Sequence, residues 1–151
     1  MFVLFVSCHT ATKSPTSTNI TFQWNNENYG LHATSATLEN NRLNIYIEEK
    51  PNPDERSSYA IEILRVNETF EVTMKRPWGI TDSSSMPPRF EILHQNIELN
   101  KTDYKVGDTL MGELHLLVAA HKAYIRNRGE MELRNNWDTL KVEGVFGSIV
   151  K

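Results

Sequence analysis

From residue 20 onward, apolar and polar positions alternate with a period close to two, the pattern of strands with one buried and one wet face. Ile20, Phe22 and Trp24 alternate with Thr21 and Gln23, and Asn25-Asn26-Glu27-Asn28 predicts a turn. Residues 31–38 predict a Thr/Ala-rich strand, which Glu39-Asn40-Asn41 turns into a third, where Leu43, Ile45 and Ile47 alternate with Asn44, Tyr46 and Glu48. Asparagine suits these turns because its side chain mimics a backbone turn and tolerates positive φ. Residues 59–66 and 69–75 predict a hairpin around Asn67-Glu68, with Phe70, Val72 and Met74 on one face of its second strand.

Breakers interrupt this pattern twice. Pro51 and Pro53 make residues 50–57 a loop, and Pro77, Gly79, Pro87, Pro88 and three consecutive serines make residues 76–89 a longer one. Loops of that length are uncommon and often functional. Extended structure resumes over 90–99. Residues 104–110 then turn into a strand burying Leu110, Leu114, Leu116 and Val118. A helix competes over 114–125, where Leu, Ala, His and Lys have no strong β preference, but strand fits the pattern better. Leu140, Val142, Gly144 and Phe146 alternate with Lys141, Glu143 and Val145 as a closing strand. Eight or nine strands with regular turn signals predict an all-β, antiparallel β-sandwich, with a barrel as the alternative.

Composition narrows the function. A chain of 151 residues makes one domain, and 39% hydrophobic with 23% charged residues excludes a disordered chain or a polytopic membrane protein. Sixteen Lys and Arg against nineteen Asp and Glu give a net charge of -3, so there is no basic excess for nucleic acid. Cys8 is the only cysteine and cannot close an intramolecular disulfide. Before it stands an apolar run, Met1-Phe2-Val3-Leu4-Phe5-Val6-Ser7, and after it a polar tract rich in Ser and Thr. The run is too short to span a bilayer, which takes about twenty residues, and instead has the character of the end of a signal peptide.

Val6-Ser7-Cys8 resembles the lipobox of bacterial lipoproteins, in which a small residue precedes the cysteine that receives lipid and becomes the mature N-terminus. Phe5 stands where that family usually has Leu, and no basic segment precedes the run. The resemblance implies a start placed too late, with residues 1–7 a signal-peptide remnant, 8–17 a tether and 18–151 a single β domain. It also implies a bacterial envelope location, with the membrane held through lipid on Cys8 and the body facing periplasm or exterior. Residues 24–47 and Val142-Glu143-Gly144-Val145-Phe146 resemble the opening meander and closing strand of small bacterial envelope lipoproteins of unassigned function. Residues 104–110 with Gly112 resemble a turn of immunoglobulin-like extracellular domains, which implies an immunoglobulin-like or similar sandwich.

Chemistry leaves little local signature. His115 and His121 would stand about 20 Å apart on a strand, and about 9 Å apart along a helix while pointing in different directions, so they cannot share an ion. No metal or cofactor is expected. Asp82-Ser83-Ser84-Ser85 lacks the Gly-x-Ser-x-Gly elbow, and Glu62, Glu71, Glu98, Glu113 and Glu143 fall singly along strands. The expectation is a non-enzyme with a structural or binding role toward an envelope protein or a glycan. A small envelope hydrolase is the alternative, should dispersed carboxylates or histidines converge. Trp24 shares parity with core residues. Trp78 and Trp137 fall in predicted loops, where an indole can stack on a sugar or anchor a partner, which makes these two the candidate ligand-binding residues.

Overall fold

The computed structural model describes residues 17–49, 59–75, 89–125 and 131–151, with the side chains of 121–136 left aside. Cys8, Trp78, and the proline loops at 50–57 and 76–88 lie outside the described residues. Nine strands are described: β1 (Asn19–Trp24), β2 (Glu27–Leu31), β3 (Ala33–Glu39), β4 (Arg42–Glu48), β5 (Ala60–Val66), β6 (Thr69–Lys75), β7 (Arg89–Leu99), β8 (Thr109–Ile125) and β9 (Met131–Ile149). They form a five-stranded sheet, β2-β1-β9-β8-β7, and a four-stranded sheet, β3-β4-β5-β6. The two antiparallel sheets pack as a β-sandwich and do not close into a barrel. Apart from β9 beside β1, every pairing joins strands consecutive in sequence, so the connectivity is a pair of meanders.

The alternation does what its period requires. Ile20, Phe22 and Trp24 of β1, Leu43, Ile45 and Ile47 of β4, Leu114, Leu116 and Val118 of β8, and Leu140, Val142 and Phe146 of β9 are all buried between the sheets. The segment 114–125 is strand throughout, because residues 114–121 have partners in β7 and β9 and Ala123, Tyr124 and Ile125 pair with β9. In β7 the ladder skips Leu93, which opposes no residue of β8. That bulge moves the inward parity from Phe90 and Ile92 to Ile97 and Leu99, and leaves Leu93 exposed.

Three local expectations are corrected. The first turn is shorter than predicted, since Asn25 and Asn26 alone make it and Glu27 and Asn28 already belong to β2. The single strand expected over 31–38 is divided at His32, where the chain passes from one sheet to the other and His32 N donates to Glu48 O at 3.0 Å. A switch of sheets needs only one residue off the ladder, too small a break to show in an alternating pattern. Trp137 does not lie in a loop. It pairs with His121 inside β9, because the β8–β9 hairpin runs well past the rest of the sheet and absorbs the polar Asn135-Asn136 pair as strand.

Asn25, Asn26, Asn40, Asn41 and Asn67 all have positive φ, between 50° and 63°. Asparagine visits this region at low cost, whereas a β-branched residue pays for its Cβ. Asn41→Val, at φ 61°, is expected to lower stability by about 1–2 kcal/mol, and Asn41→Gly to be neutral or better, in urea unfolding. Equal midpoints for the two variants would contradict the turn geometry.

The β7–β8 connection is held by its own side chains. Tyr104 Oη donates to Asn100 Oδ1 at 2.7 Å and accepts from Lys101 N, and the same Oδ1 accepts from Met111 N at 2.9 Å. Burial pushes the Tyr104 hydroxyl above its ordinary pKa. Asp108 accepts from Lys105 N at 3.0 Å, and that bond, with Lys101 alongside, holds its carboxyl below the usual range. The chain then joins the end of β9, with Gly107 N donating to Val150 O and Val150 N to Asp108 O.

Candidate functional site

Trp137 is 55% exposed, while Trp24 on the neighbouring inward face is 5% exposed. The difference follows from strand parity. Leu140, Val142 and Phe146 point inward, so Trp137, Thr139, Lys141 and Glu143 stand on the outer face of the five-stranded sheet. Ladder register sets their neighbours. Thr139 lies beside Ala119 and then Glu91, Lys141 beside Leu117 and then His94, and Glu143 beside His115 and then Asn96. The result is a face with Thr139, Lys141 and Glu143 on β9 flanking Leu117 and the buried Ala119 of β8, headed by Trp137. Strand backbone fixes all of it, so the side chains need little reordering to meet a ligand.

Asp138, of opposite parity, reaches back toward the core, where its Oδ2 accepts from Trp24 Nε1 at 3.4 Å. Beneath it Phe22, Trp24, Tyr29, Tyr59 and Phe90 form an aromatic cluster with ring centroids 4.8–6.2 Å apart. These rings join the two sheets under this face and hold it rigid.

Lower on the outer face, His115 lies between two carboxylates, its Nε2 2.9 Å from Glu113 Oε1 and its Nδ1 3.6 Å from Glu143 Oε2. Each nitrogen meets a different acid, so the three groups do not point at one common ion. Among the described residues no group of three or more His, Cys, Asp or Glu side chains is arranged to hold a metal. The three groups are exposed on an open face, where water screens the pairs. An acid–base residue would need a concave, drier setting to be tuned for catalysis.

A second surface went unforeseen in the sequence. The turns at Asn41 and Asn67 and the β7–β8 connection surround a hollow of about 220 Å³ over Leu38, Leu43 and Tyr104, and past Arg65 a second of about 570 Å³ lies against Phe70 and Leu99. Arg65 is already engaged, donating from Nη1 to Thr102 O and lying 5.9 Å over the Phe70 ring. The first hollow is smaller than ligand pockets, which run from about 300 Å³, and the second, at about 570 Å³, is within their range but broadly open to solvent. Nothing in the local pattern announces this surface, because its walls come from three turns far apart in the chain.

Of the candidate anchor and ligand-binding residues, Trp137 is on a described surface, and Cys8 and Trp78 lie outside the described residues. Comparison with protein-family models, with curated proteins and with solved structures returns no match. Function is therefore read from the residues and their geometry.

Proposed function

We propose that this chain is a lipid-anchored protein of the bacterial cell envelope whose sandwich is a binding module, and that its ligand surface is the outer face of the five-stranded sheet around Trp137. The observation that carries this is the placement of Trp137, 55% exposed, on the outward parity of β9. Tryptophan is highly buried on average, and its exposure is informative when polar groups capable of directed hydrogen bonds stand beside it. Thr139 is the next outward residue on β9, and Lys141, Glu91 and His94 follow further along the same face. An indole on a face that also carries hydroxyl, amine and carboxylate groups suits an oligosaccharide, which offers apolar C–H faces and hydroxyls over several rings. An oligosaccharide is accordingly the ligand class proposed. Trp78, outside the described residues, remains a proposed second aromatic.

The anchor is supported by the switch from apolar to polar residues at Cys8. Nine residues separate it from Thr18, a reach of at most about 36 Å when extended. The mature N-terminus is expected at Cys8 and carrying acyl chains when the N-terminal peptide of the protein from the membrane fraction is weighed by mass spectrometry. An unmodified peptide running from Met1 through Cys8 in the membrane fraction rejects the anchor.

Binding is tested by Trp137→Ala. Loss of one stacked aromatic is expected to weaken oligosaccharide binding about two- to tenfold. Stability should change by no more than about 0.5 kcal/mol, as for other exposed positions. Unchanged affinity for every glycan the wild type binds, or no glycan binding by the wild type at all, rejects the surface.

A further inference from the structure

We infer that the end of the sandwich formed by the β7–β8 turn and the end of β9 docks on the lipid surface to which the chain is tethered, with Val106, Met111 and Ile149 entering the interface. This rests on the anchored reading and adds an orientation to it.

The direction of the N-terminal segment is fixed by register. β1 runs antiparallel to β9 with Asn19 opposite Val145, so the chain traced backward from Asn19 moves along β9 toward Ile149. Thr18 marks that path. Its Oγ1 accepts from Gly147 N at 3.4 Å and shares a hydrogen bond with Thr34 Oγ1 at 2.7 Å. The apolar run and Cys8 therefore join the body at the end that carries Gly147 and Ile149.

That same end carries three of the five large hydrophobic residues exposed among the described residues: Val106 at 69%, Met111 at 42% and Ile149 at 42%. Met111 opposes Gly147 and Ile149 opposes Thr109, so Met111 and Ile149 are diagonal neighbours on the outer face. Val106 sits at the tip of a turn clamped to Val150 by two backbone hydrogen bonds, so it is held beyond the last rung of the ladder. Single exposed hydrophobics need no explanation, but a group at the point where a tether leaves does.

Charge supports a weakly electrostatic contact. Lys105 and Lys151 are exposed beside the patch, Lys101 is held by Asp108 at 3.3 Å, and Asp103 is exposed on the same connection. Little net positive charge remains, so apolar burial supplies most of the attraction. A short tether makes even a weak contact count, because it converts docking into an intramolecular step at millimolar effective concentration.

The test is co-sedimentation of the full chain with vesicles of phosphatidylcholine and phosphatidylglycerol. Val106→Asp/Ile149→Asp is compared with wild type and with Leu93→Asp, an exposed apolar position on β7 away from this end. The expected result is a drop in partitioning of about tenfold for the double variant, none for Leu93→Asp, and only a weak dependence on salt. All variants should melt with the wild type, and Val106→Asp alone, at the most exposed of these positions, should give a smaller drop if the double variant is destabilised. Equal partitioning of wild type and double variant overturns the inference, because the apolar N-terminal run would then account for all binding. So does equal loss in Leu93→Asp, or a monomer–dimer equilibrium abolished by the double variant with vesicle binding unchanged. The experiment does not require lipid on Cys8, so an unmodified Cys8 in mass spectrometry rejects the anchor without deciding the docking, and unchanged partitioning with Cys8 lipidated rejects the docking alone.

Discussion

Gly144→Ala is expected to be among the most damaging single-methyl additions in this protein, lowering stability by about 2–6 kcal/mol. Gly144 lies in β9 between Leu114 of β8 and Ile20 of β1, with φ at +151°. A Cβ there would stand 2.0 Å from the carbonyl oxygen of Asn19 and 2.8 Å from the Cα of Ile20. Both are backbone atoms, so no side chain can rotate away to make room. The methyl would have to push β1 off β9, and β1 carries Ile20, Phe22 and Trp24 into the core. Denaturant unfolding should show the loss, together with faster amide exchange along β1. A change below about 0.5 kcal/mol would mean that β1 does not lie this close to β9.

Trp24→Ala is expected to cost about 3–5 kcal/mol, the range for removing a buried aromatic. Trp24 packs edge-on against Tyr59 and Phe90, at 6.2 and 5.6 Å between ring centroids. These contacts tie β1 to the start of β5 and of β7, so the cavity would open where the two sheets meet. Asp138 would also lose the Trp24 Nε1 donor. Set beside Trp137→Ala, the variant separates the two tryptophans by role, one holding the fold and the other presenting a surface. Comparable unfolding free energies for the two variants would contradict that division.

Much of the sandwich was legible because period-two alternation is a local property that survives into the folded state. Ile20, Phe22 and Trp24, or Leu140, Val142 and Phe146, are buried for the reason their spacing announces. The asparagine turns were legible through side-chain chemistry. Features that depend on a second segment were not. The division at His32 comes from the two sheets on either side of it, and the bulge at Leu93 from the register of β7 against β8. Trp137 was assigned to the wrong element, since Asn135-Asn136 is a turn signal that the long hairpin overrides. The Arg65 groove gave no sign because Asn41, Asn67 and Thr102 meet only in three dimensions. Gly144 was visible as a member of the closing strand, but its need for glycine comes from the backbone of Asn19.

The central claim, that the outer face of the five-stranded sheet binds the ligand, is tested most directly by an NMR titration of the isotope-labelled full chain with a panel of oligosaccharides. The indole N–H of Trp137 and the amides of Thr139, Lys141, Leu117 and Glu91 are expected to shift together with ligand concentration, while Asn41, Asn67 and Thr102 stay still. Shifts gathered around Asn41, Asn67 and Thr102 with Trp137 unmoved, or no shift anywhere across the panel, would contradict it.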